Sequence, residues 1–158
     1  MGTLASIHVT SAVISMVLGA FVLLDVKGTL AHRALGVAYV LAMLMVNFST
    51  LGLYRLLGTF GPFHVLALIS FVVLLIGMIP LFRRKKNWLQ LHYRFMCGSY
   101  VGLLAAATAE AMIRIPAIRN LFQSPQQVIW VSIGIAVTYS VAARLVLPRL
   151  EQRVLARV

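Results

Sequence analysis

Cysteine and acidic residues are scarce in this chain. Its 158 residues include one cysteine, Cys97, and three acidic residues, Asp25, Glu110 and Glu151. A single cysteine excludes an internal disulfide, a cysteine-rich zinc site, an iron–sulfur cluster and the two-cysteine attachment of c-type haem. The sequence also lacks a nucleophilic serine motif, a phosphate-binding loop and a metalloprotease motif. Cys97 follows an apolar stretch beside Gly98, and we expect it to be a buried small residue.

Charged residues of both signs are few. They make up 11% of the chain, whereas soluble domains contain about 25%. Hydrophobic residues make up 61%, and the mean hydropathy is +0.97. This composition is typical of an integral membrane protein, and the length suits one helical bundle without a second folded domain.

The charge that is present is strongly basic, with a net charge of +11. Because the basic residues lie between apolar runs, they indicate loops that face the cytoplasm and anionic lipid, and nucleic acid is not an expected partner. The first apolar run has no basic segment before it and no small-residue cleavage site. We therefore expect it to be a retained helix and not a signal peptide.

Five apolar runs are each long enough to cross a bilayer, which takes about 20 residues. They cover about 4–24, 31–54, 62–82, 91–114 and 126–147. Pro62 suits a helix start, Pro116 and Pro148 suit helix ends, and the tail after Pro148 is predicted to lie along the membrane surface. The predicted fold is an all-α membrane protein with five transmembrane helices. The first four form an antiparallel up-and-down bundle, within a single domain of residues 1–158.

The basic residues predict the orientation of the chain. Eleven fall on one side of the membrane: Lys27, Arg33, Arg83, Arg84, Lys85, Lys86, Arg94, Arg144, Arg149, Arg153 and Arg157. Three fall on the other: Arg55, Arg114 and Arg119. The positive-inside rule then places the N-terminus outside and the C-terminus in the cytoplasm. The predicted location is the bacterial inner (cytoplasmic) membrane, crossed several times.

Each of the first four runs contains one histidine near its start. Because successive spans alternate in direction, His8 and His64 lie just inside the outer face, and His32 and His92 just inside the inner face. Alternate helices of such a bundle face each other diagonally, so two imidazoles at one level can supply both axial ligands of a haem iron. The pattern predicts two b-type haems, one between His8 and His64 and one between His32 and His92.

Other residues on these spans fit a haem site, although each has a second explanation. Arginines at the same levels can pair with haem propionates: Arg33 and Arg94 at the inner level, and Arg55 and Arg114 at the outer level. Ser11, Ala12, Ser15 and Gly19 share one helical stripe with His8, which leaves space for a flat macrocycle. Membrane helices also use such stripes to pack closely without any cofactor, and both explanations stay open.

The carboxylates suggest a bound metal ion as an alternative to haem. Glu110 lies 18 residues, or five helical turns, after His92, and so belongs to the outer level. Asp25 belongs to the inner level. Two sets of two histidines and a carboxylate result, and such sets bind zinc or iron: His8, His64 and Glu110, and His32, His92 and Asp25. The competing explanation is structural, because Glu110 can pair with Arg114 at i, i+4 and Asp25 lies in a turn near Lys27.

Three stretches carry a resemblance to a known family: "AHRALGVAYVLAM", "FGPFHVLALIS" and "LHYRFMCGSYVGLLAA". They resemble a family of small bacterial predicted membrane proteins that is known as a domain of unknown function. The resemblance covers roughly residues 4–116 and implies no activity. A looser similarity, by position and level and not by local motif, is to transmembrane di-haem b-type cytochromes. That similarity implies the same ligand pairs, His8 with His64 and His32 with His92.

Three functions follow as hypotheses. The leading one is transmembrane electron transfer through two bis-histidine b-type haems, as in a quinone-linked or metal-linked reductase. The others are a zinc-binding or iron-binding membrane protein and a cofactor-free structural or accessory membrane protein. The expected partners are the lipid bilayer and, for electron transfer, a quinone or another redox protein. A homo-oligomer is compatible with this bundle, and no catalytic residue is assigned.

Overall fold

A computed structural model of the chain describes residues 2–53 and 60–155. These residues form six helices and no strand: α1 Thr3–Leu24, α2 Leu30–Leu51, α3 Pro62–Arg83, α4 Trp88–Arg114, α5 Pro116–Arg119 and α6 Pro125–Leu155. Within these ranges, all the helices except α5 are long and apolar enough to cross a membrane, five in total. The predicted all-α class with five membrane-spanning helices is therefore confirmed.

Local signals explain where several helices begin. The Thr29 hydroxyl caps α2 by accepting a hydrogen bond from the His32 backbone N–H at 3.0 Å. Pro62 and Pro116 occupy the first positions of α3 and α5, where the missing N–H has no helical partner to lose. Long apolar runs between these signals let every backbone group bond within its own helix, which a lipid environment requires.

Helices α1 to α4 pack as an antiparallel up-and-down bundle. Helix α1 packs against α2 and α4, and α3 also packs against α2 and α4, so α1 faces α3 and α2 faces α4 across diagonals. Helix α6 packs against α4 on the outside of this bundle. Large apolar side chains such as Phe21, Val72 and Trp130 are exposed on the surface, as expected for contact with lipid.

The middle of the bundle is filled by side chains. Tyr39, Met43, Leu74 and Leu103 form a buried cluster with contributions from α2, α3 and α4. The Tyr39 hydroxyl is 2.8 Å from the Ser99 hydroxyl, which joins α2 to α4 across a diagonal. This cluster lies between the two histidine levels and closes the interior there.

The stripe of small residues on α1 packs against tyrosine rings. A methyl group on Gly19 would overlap the Tyr100 ring and approach Tyr39 Cε2 to 3.0 Å. Tyr100 also donates a hydrogen bond to the Met16 carbonyl at 3.1 Å. Around Gly19 the stripe therefore allows close helix packing and leaves no space for a macrocycle, which agrees with the second explanation of the pattern.

The structure departs from the predicted bounds at α6. We predicted a span that ends before Pro148 and a separate surface tail, but α6 continues through Pro148 to Leu155. The last turns are held by Glu151, which is 4% exposed and accepts a hydrogen bond from Arg94 Nε at 2.8 Å. Because this ion pair holds the end of α6 against α4, the prediction of a separate surface tail is wrong. Helix α4 also begins earlier than predicted, at Trp88.

The two ends of the bundle are named here by their histidines. The His8 end contains the start of α1 and α3 and the end of α2 and α4. The His32 end contains the start of α2 and α4 and the end of α1 and α3. Arg55 and Arg157, which we assigned to opposite faces, lie outside the described residues.

Candidate functional site at the two histidine levels

At the His32 end, His92 is oriented by the backbone of α3. Its Nδ1 atom lies 2.7 Å from the Gly77 carbonyl oxygen. A carbonyl oxygen only accepts, so Nδ1 carries the proton and Nε2 keeps its lone pair. A metal-ligating histidine typically has this arrangement, with one ring nitrogen fixed by a backbone carbonyl and the other available to a metal. Gly77 permits the close approach, because Met96 Sδ would lie 3.0 Å from a Cβ atom there.

His32 lies at the same level on the diagonally opposite helix. Its Nδ1 atom is buried and has no hydrogen-bond partner among the described residues. The ring lies beside the Val22 carbonyl and within electrostatic range of His92, Lys27 and Asp25. His32 and His92 are thus within electrostatic range of each other at this end of the bundle.

Lys27 adds a positive charge to this end. Its Nζ atom donates to the carbonyl oxygens of Val22, Leu23 and Asp25 at 2.9, 2.7 and 3.1 Å, which caps the last turn of α1. Burial lowers the pKa of Lys27, and the nearby Cys97 and Asp25 partly oppose that shift. Cys97 is 3% exposed, as expected, and Asp25 accepts a hydrogen bond from the Val26 N–H at 2.8 Å.

At the His8 end, His8 is hydrogen-bonded through Nδ1 and lies close to a carboxylate through Nε2. Nδ1 lies 3.0 Å from Ser49 Oγ, 3.3 Å from Thr50 Oγ1 and 3.3 Å from the Val46 carbonyl oxygen. The Ser49 and Thr50 hydroxyls donate to that same carbonyl, so Nδ1 is the donor in this group. Nδ1 thus makes hydrogen bonds to α2, and Nε2 lies 3.5 Å from a carboxylate oxygen of Glu110.

Glu110 connects His8 to the surface. It also pairs with Arg114, whose Nε donates to Oε1 at 3.1 Å. The position of Glu110 agrees with the level predicted from its spacing of five turns after His92. The i, i+4 pair with Arg114 is also present, so the carboxylate joins a histidine and an arginine.

His64, the other histidine at this end, caps its own helix. It is 4% exposed, its Nδ1 atom accepts a hydrogen bond from the Gly61 N–H at 3.1 Å, and its ring stacks on Phe60 with centroids 4.9 Å apart. Because Nδ1 accepts, the proton of a neutral ring is on Nε2. That tautomer is opposite to the one that binds haem iron through Nε2.

The two levels therefore differ in how well they suit a bis-histidine haem. At the His32 end, the hydrogen bond of His92 leaves its Nε2 unprotonated, and the nitrogen of His32 without a hydrogen bond is Nδ1. At the His8 end, His8 Nε2 faces a carboxylate and His64 has the other tautomer. His92 therefore has the tautomer that can bind haem iron through Nε2, whereas the rings of His8 and His64 make other contacts.

The arginines also differ in availability. Arg94 pairs with Glu151 and Arg114 with Glu110, whereas Arg33 is exposed at the His32 end. Arg33 and Lys27 both lie at that end of the bundle, where the propionates of a haem at the His32 level would be. Two of the predicted arginine partners are thus paired with carboxylates, and sequence spacing had indicated the Arg114–Glu110 pair but not the Arg94–Glu151 pair.

The three-residue metal sets are not assembled. In the described ranges, no group of three or more histidine, cysteine, aspartate or glutamate side chains lies close enough together to hold a metal ion. At the His8 end, Glu110 joins His8, and His64 caps α3 instead. At the His32 end, Asp25 bonds to its own turn. The alternative of zinc or iron held by these sets has no support from this geometry.

Two buried polar groups were missed by the sequence analysis as functional candidates. Asn47 Nδ2 and Ser15 Oγ are buried without a hydrogen-bond partner among the described residues. Their side chains are 4% and 0% exposed. A signal was available for Asn47, since it follows Tyr39 and Met43 at i, i+4 spacing on the inward face of α2. Both atoms lie inside the bundle, away from lipid.

Comparison with known proteins agrees with the resemblance read from the sequence. A family model described as "Predicted membrane protein (DUF2306)" matches residues 5–147. The chain belongs to this family. The family description assigns a membrane location and no activity. No curated protein and no solved structure matches the chain. The function of this DUF2306 member must therefore be argued from its own residues.

Proposed function

We propose that this DUF2306 protein is a membrane electron carrier that holds one b-type haem between His32 and His92. The observation that carries the proposal is the 2.7 Å hydrogen bond from His92 Nδ1 to the Gly77 carbonyl, which leaves Nε2 available as a ligand. The position of His32 adds support, because this ring lies on the diagonally opposite helix within electrostatic range of His92. The proposal retains one of the two haems expected from the sequence.

The protein residues each have a defined task in this proposal. A bound haem would supply reversible one-electron transfer. The Gly77 carbonyl fixes the tautomer and orientation of His92, and the exposed Arg33 guanidinium would pair with a propionate. The buried cluster of Tyr39, Met43, Leu74 and Leu103 lies between this level and the His8 end.

We also propose the orientation that the charge pattern predicts. The His32 end, which carries Lys27, Arg33 and the run Arg83–Lys86, faces the cytoplasm of a bacterial inner membrane. The haem then lies near the cytoplasmic surface. Its electron partner is a quinone in the membrane or a redox protein at that surface.

The first test is the visible spectrum of the purified protein. The chain is produced with haem available, purified in detergent, and measured oxidised and after dithionite reduction. We expect a sharp reduced α-band typical of six-coordinate b-type haem and one haem per chain. Two haems per chain would support the hypothesis of one haem at each of the two histidine levels. A colourless, folded protein would rule out the electron carrier and favour an accessory membrane protein.

A second candidate function is proton transfer at the His8 end, favoured by the contact between His8 and Glu110. The side-chain exposure falls from 36% at Glu110 to 13% at His8, and the neighbouring Ser49 is 4% exposed. This sequence of groups leads from the surface into the bundle, where Asn47 and Ser15 are buried polar residues. Ionisable residues inside membrane bundles commonly belong to proton relays.

Proton flux into liposomes tests this candidate. With a potassium diffusion potential and an internal pH dye, the wild-type protein should admit protons faster than protein-free liposomes. Glu110→Gln should lower that rate by about tenfold or more, because the amide cannot exchange a proton at neutral pH. Arg114→Gln is the matched control, since it breaks the same ion pair and keeps the carboxylate. Equal rates for Glu110→Gln and the wild type would contradict the relay.

A further inference from the structure

A cavity of about 340 Å³ lies at the turn between α3 and α4, at the His32 end. Its lining contains three basic residues, Arg83, Lys85 and Lys86 (the basic wall), and three apolar residues, Ile79, Pro80 and Leu91 (the apolar wall). Trp88 completes the lining at the first residue of α4. The cavity thus combines a cationic side with an apolar side at the end of two membrane-spanning helices.

The carboxylates of this chain are all used elsewhere. Glu110 pairs with His8 and Arg114, and Glu151 pairs with Arg94. Asp25 accepts from the backbone of its own turn. Since the sequence contains three acidic residues, no side-chain carboxylate of the chain neutralises the basic wall. An anion from the surroundings is therefore its natural partner.

The backbone at the start of α4 adds to this preference. Asn87 occupies the N-cap position in the left-handed conformation, with φ of 71°, and provides no side-chain cap. The first-turn N–H groups of α4 thus have a partial positive charge without a capping side chain. The Arg84 guanidinium lies 5.8 Å from the centre of the Trp88 ring, which holds that ring beside the basic run.

We propose that this cavity, formed by the basic wall, the apolar wall and Trp88, binds the headgroup of an anionic phospholipid. The phosphate contacts Arg83, Lys85 and Lys86, and the start of an acyl chain lies against Ile79 and Leu91. The apolar wall favours a lipid over free phosphate, because a soluble anion would leave that wall without a partner. Tryptophan is also enriched at the headgroup level of membrane proteins.

Lipid binding is measured by native mass spectrometry and by thermal stability in detergent. The probes are phosphatidylglycerol, phosphatidylcholine and inorganic phosphate, each added to the purified full chain. We expect phosphatidylglycerol to be retained and to raise the midpoint of unfolding, and phosphatidylcholine to do neither. The double variant Lys85→Gln, Lys86→Gln should bind phosphatidylglycerol about 25-fold more weakly, at about fivefold for each basic side chain.

The matched control removes two exposed charges from α6, outside the cavity. Arg144→Gln with Arg149→Gln should leave phosphatidylglycerol binding within about twofold of the wild type. Equal weakening in both double variants would show diffuse attraction to surface charge and overturn the site. An equal effect of inorganic phosphate would show an anion site without lipid preference, and absence of phosphatidylglycerol binding would also overturn the proposal. Both double variants change exposed side chains, and their unfolding midpoints without added lipid check that they fold.

Discussion

Replacement of His92 by alanine should remove the haem from the purified protein. The haem content per chain should fall by more than about tenfold, because a ligand to the iron is lost. The expectation depends on the tautomer that the Gly77 carbonyl imposes at 2.7 Å, which leaves Nε2 free to bind iron. His32→Ala should have the same effect, since both axial positions are needed for the six-coordinate spectrum.

His64→Ala is the matched control for this experiment. His64 is also a buried histidine near the start of its helix, but its Nδ1 accepts from the Gly61 N–H at 3.1 Å. Its loss should lower the stability of the first turn of α3 and leave the haem content unchanged. Added imidazole should restore the six-coordinate spectrum of His92→Ala, which a purely structural effect would not allow. Haem loss in His64→Ala together with retention in His92→Ala would falsify the assignment.

Gly19→Ala should destabilise the bundle by about 1–3 kcal/mol, the usual cost of overpacking. The added methyl group would overlap the Tyr100 ring. That ring cannot move away freely, because its hydroxyl bonds to the Met16 carbonyl at 3.1 Å and its edge packs against Tyr39. The measurement is the unfolding midpoint in one detergent, with haem content recorded alongside.

Gly36→Ala is the matched control on the neighbouring helix. A Cβ atom on Gly36 would have no heavy atom within 4 Å beyond its local surroundings, so no overlap opposes the change. Alanine is favoured over glycine inside a helix by about 0.5–1 kcal/mol, so this variant should be as stable as the wild type or more stable. The two variants make the same chemical change and are expected to have opposite effects on stability. Equal destabilisation of both would contradict the close contact between α1 and Tyr100.

Much of the fold was predictable because it depends on local properties of the chain. Apolar runs of sufficient length identified the membrane-spanning helices, and the helical rise placed each histidine at one end of its helix. The same reasoning placed Glu110 five turns from His92, at the level where it contacts His8. It failed at Pro148, because a proline signal was taken as a helix end while a distant arginine held the helix in place.

The positions of the histidines could be predicted from the sequence, but their hydrogen bonds could not. Sequence spacing gave the same description for His64 and His92, each near the start of a helix and each at a level shared with a histidine on a diagonal helix. The structure separates them by their hydrogen bonds, which run to a backbone N–H for His64 and to a backbone carbonyl for His92. A donor in one case and an acceptor in the other select opposite tautomers, and no sequence pattern specifies that difference.

The sequence by itself determined that this protein is an all-helical membrane bundle, with two histidine levels and a strongly basic end. Those features follow from hydropathy, helix periodicity and charge, which are set by residues close together along the chain. Only the tertiary structure decided that Tyr100 fills the face around Gly19, and that His8 bonds to Ser49 and Glu110. These contacts join residues on different helices, and their geometry depends on how the helices pack against one another.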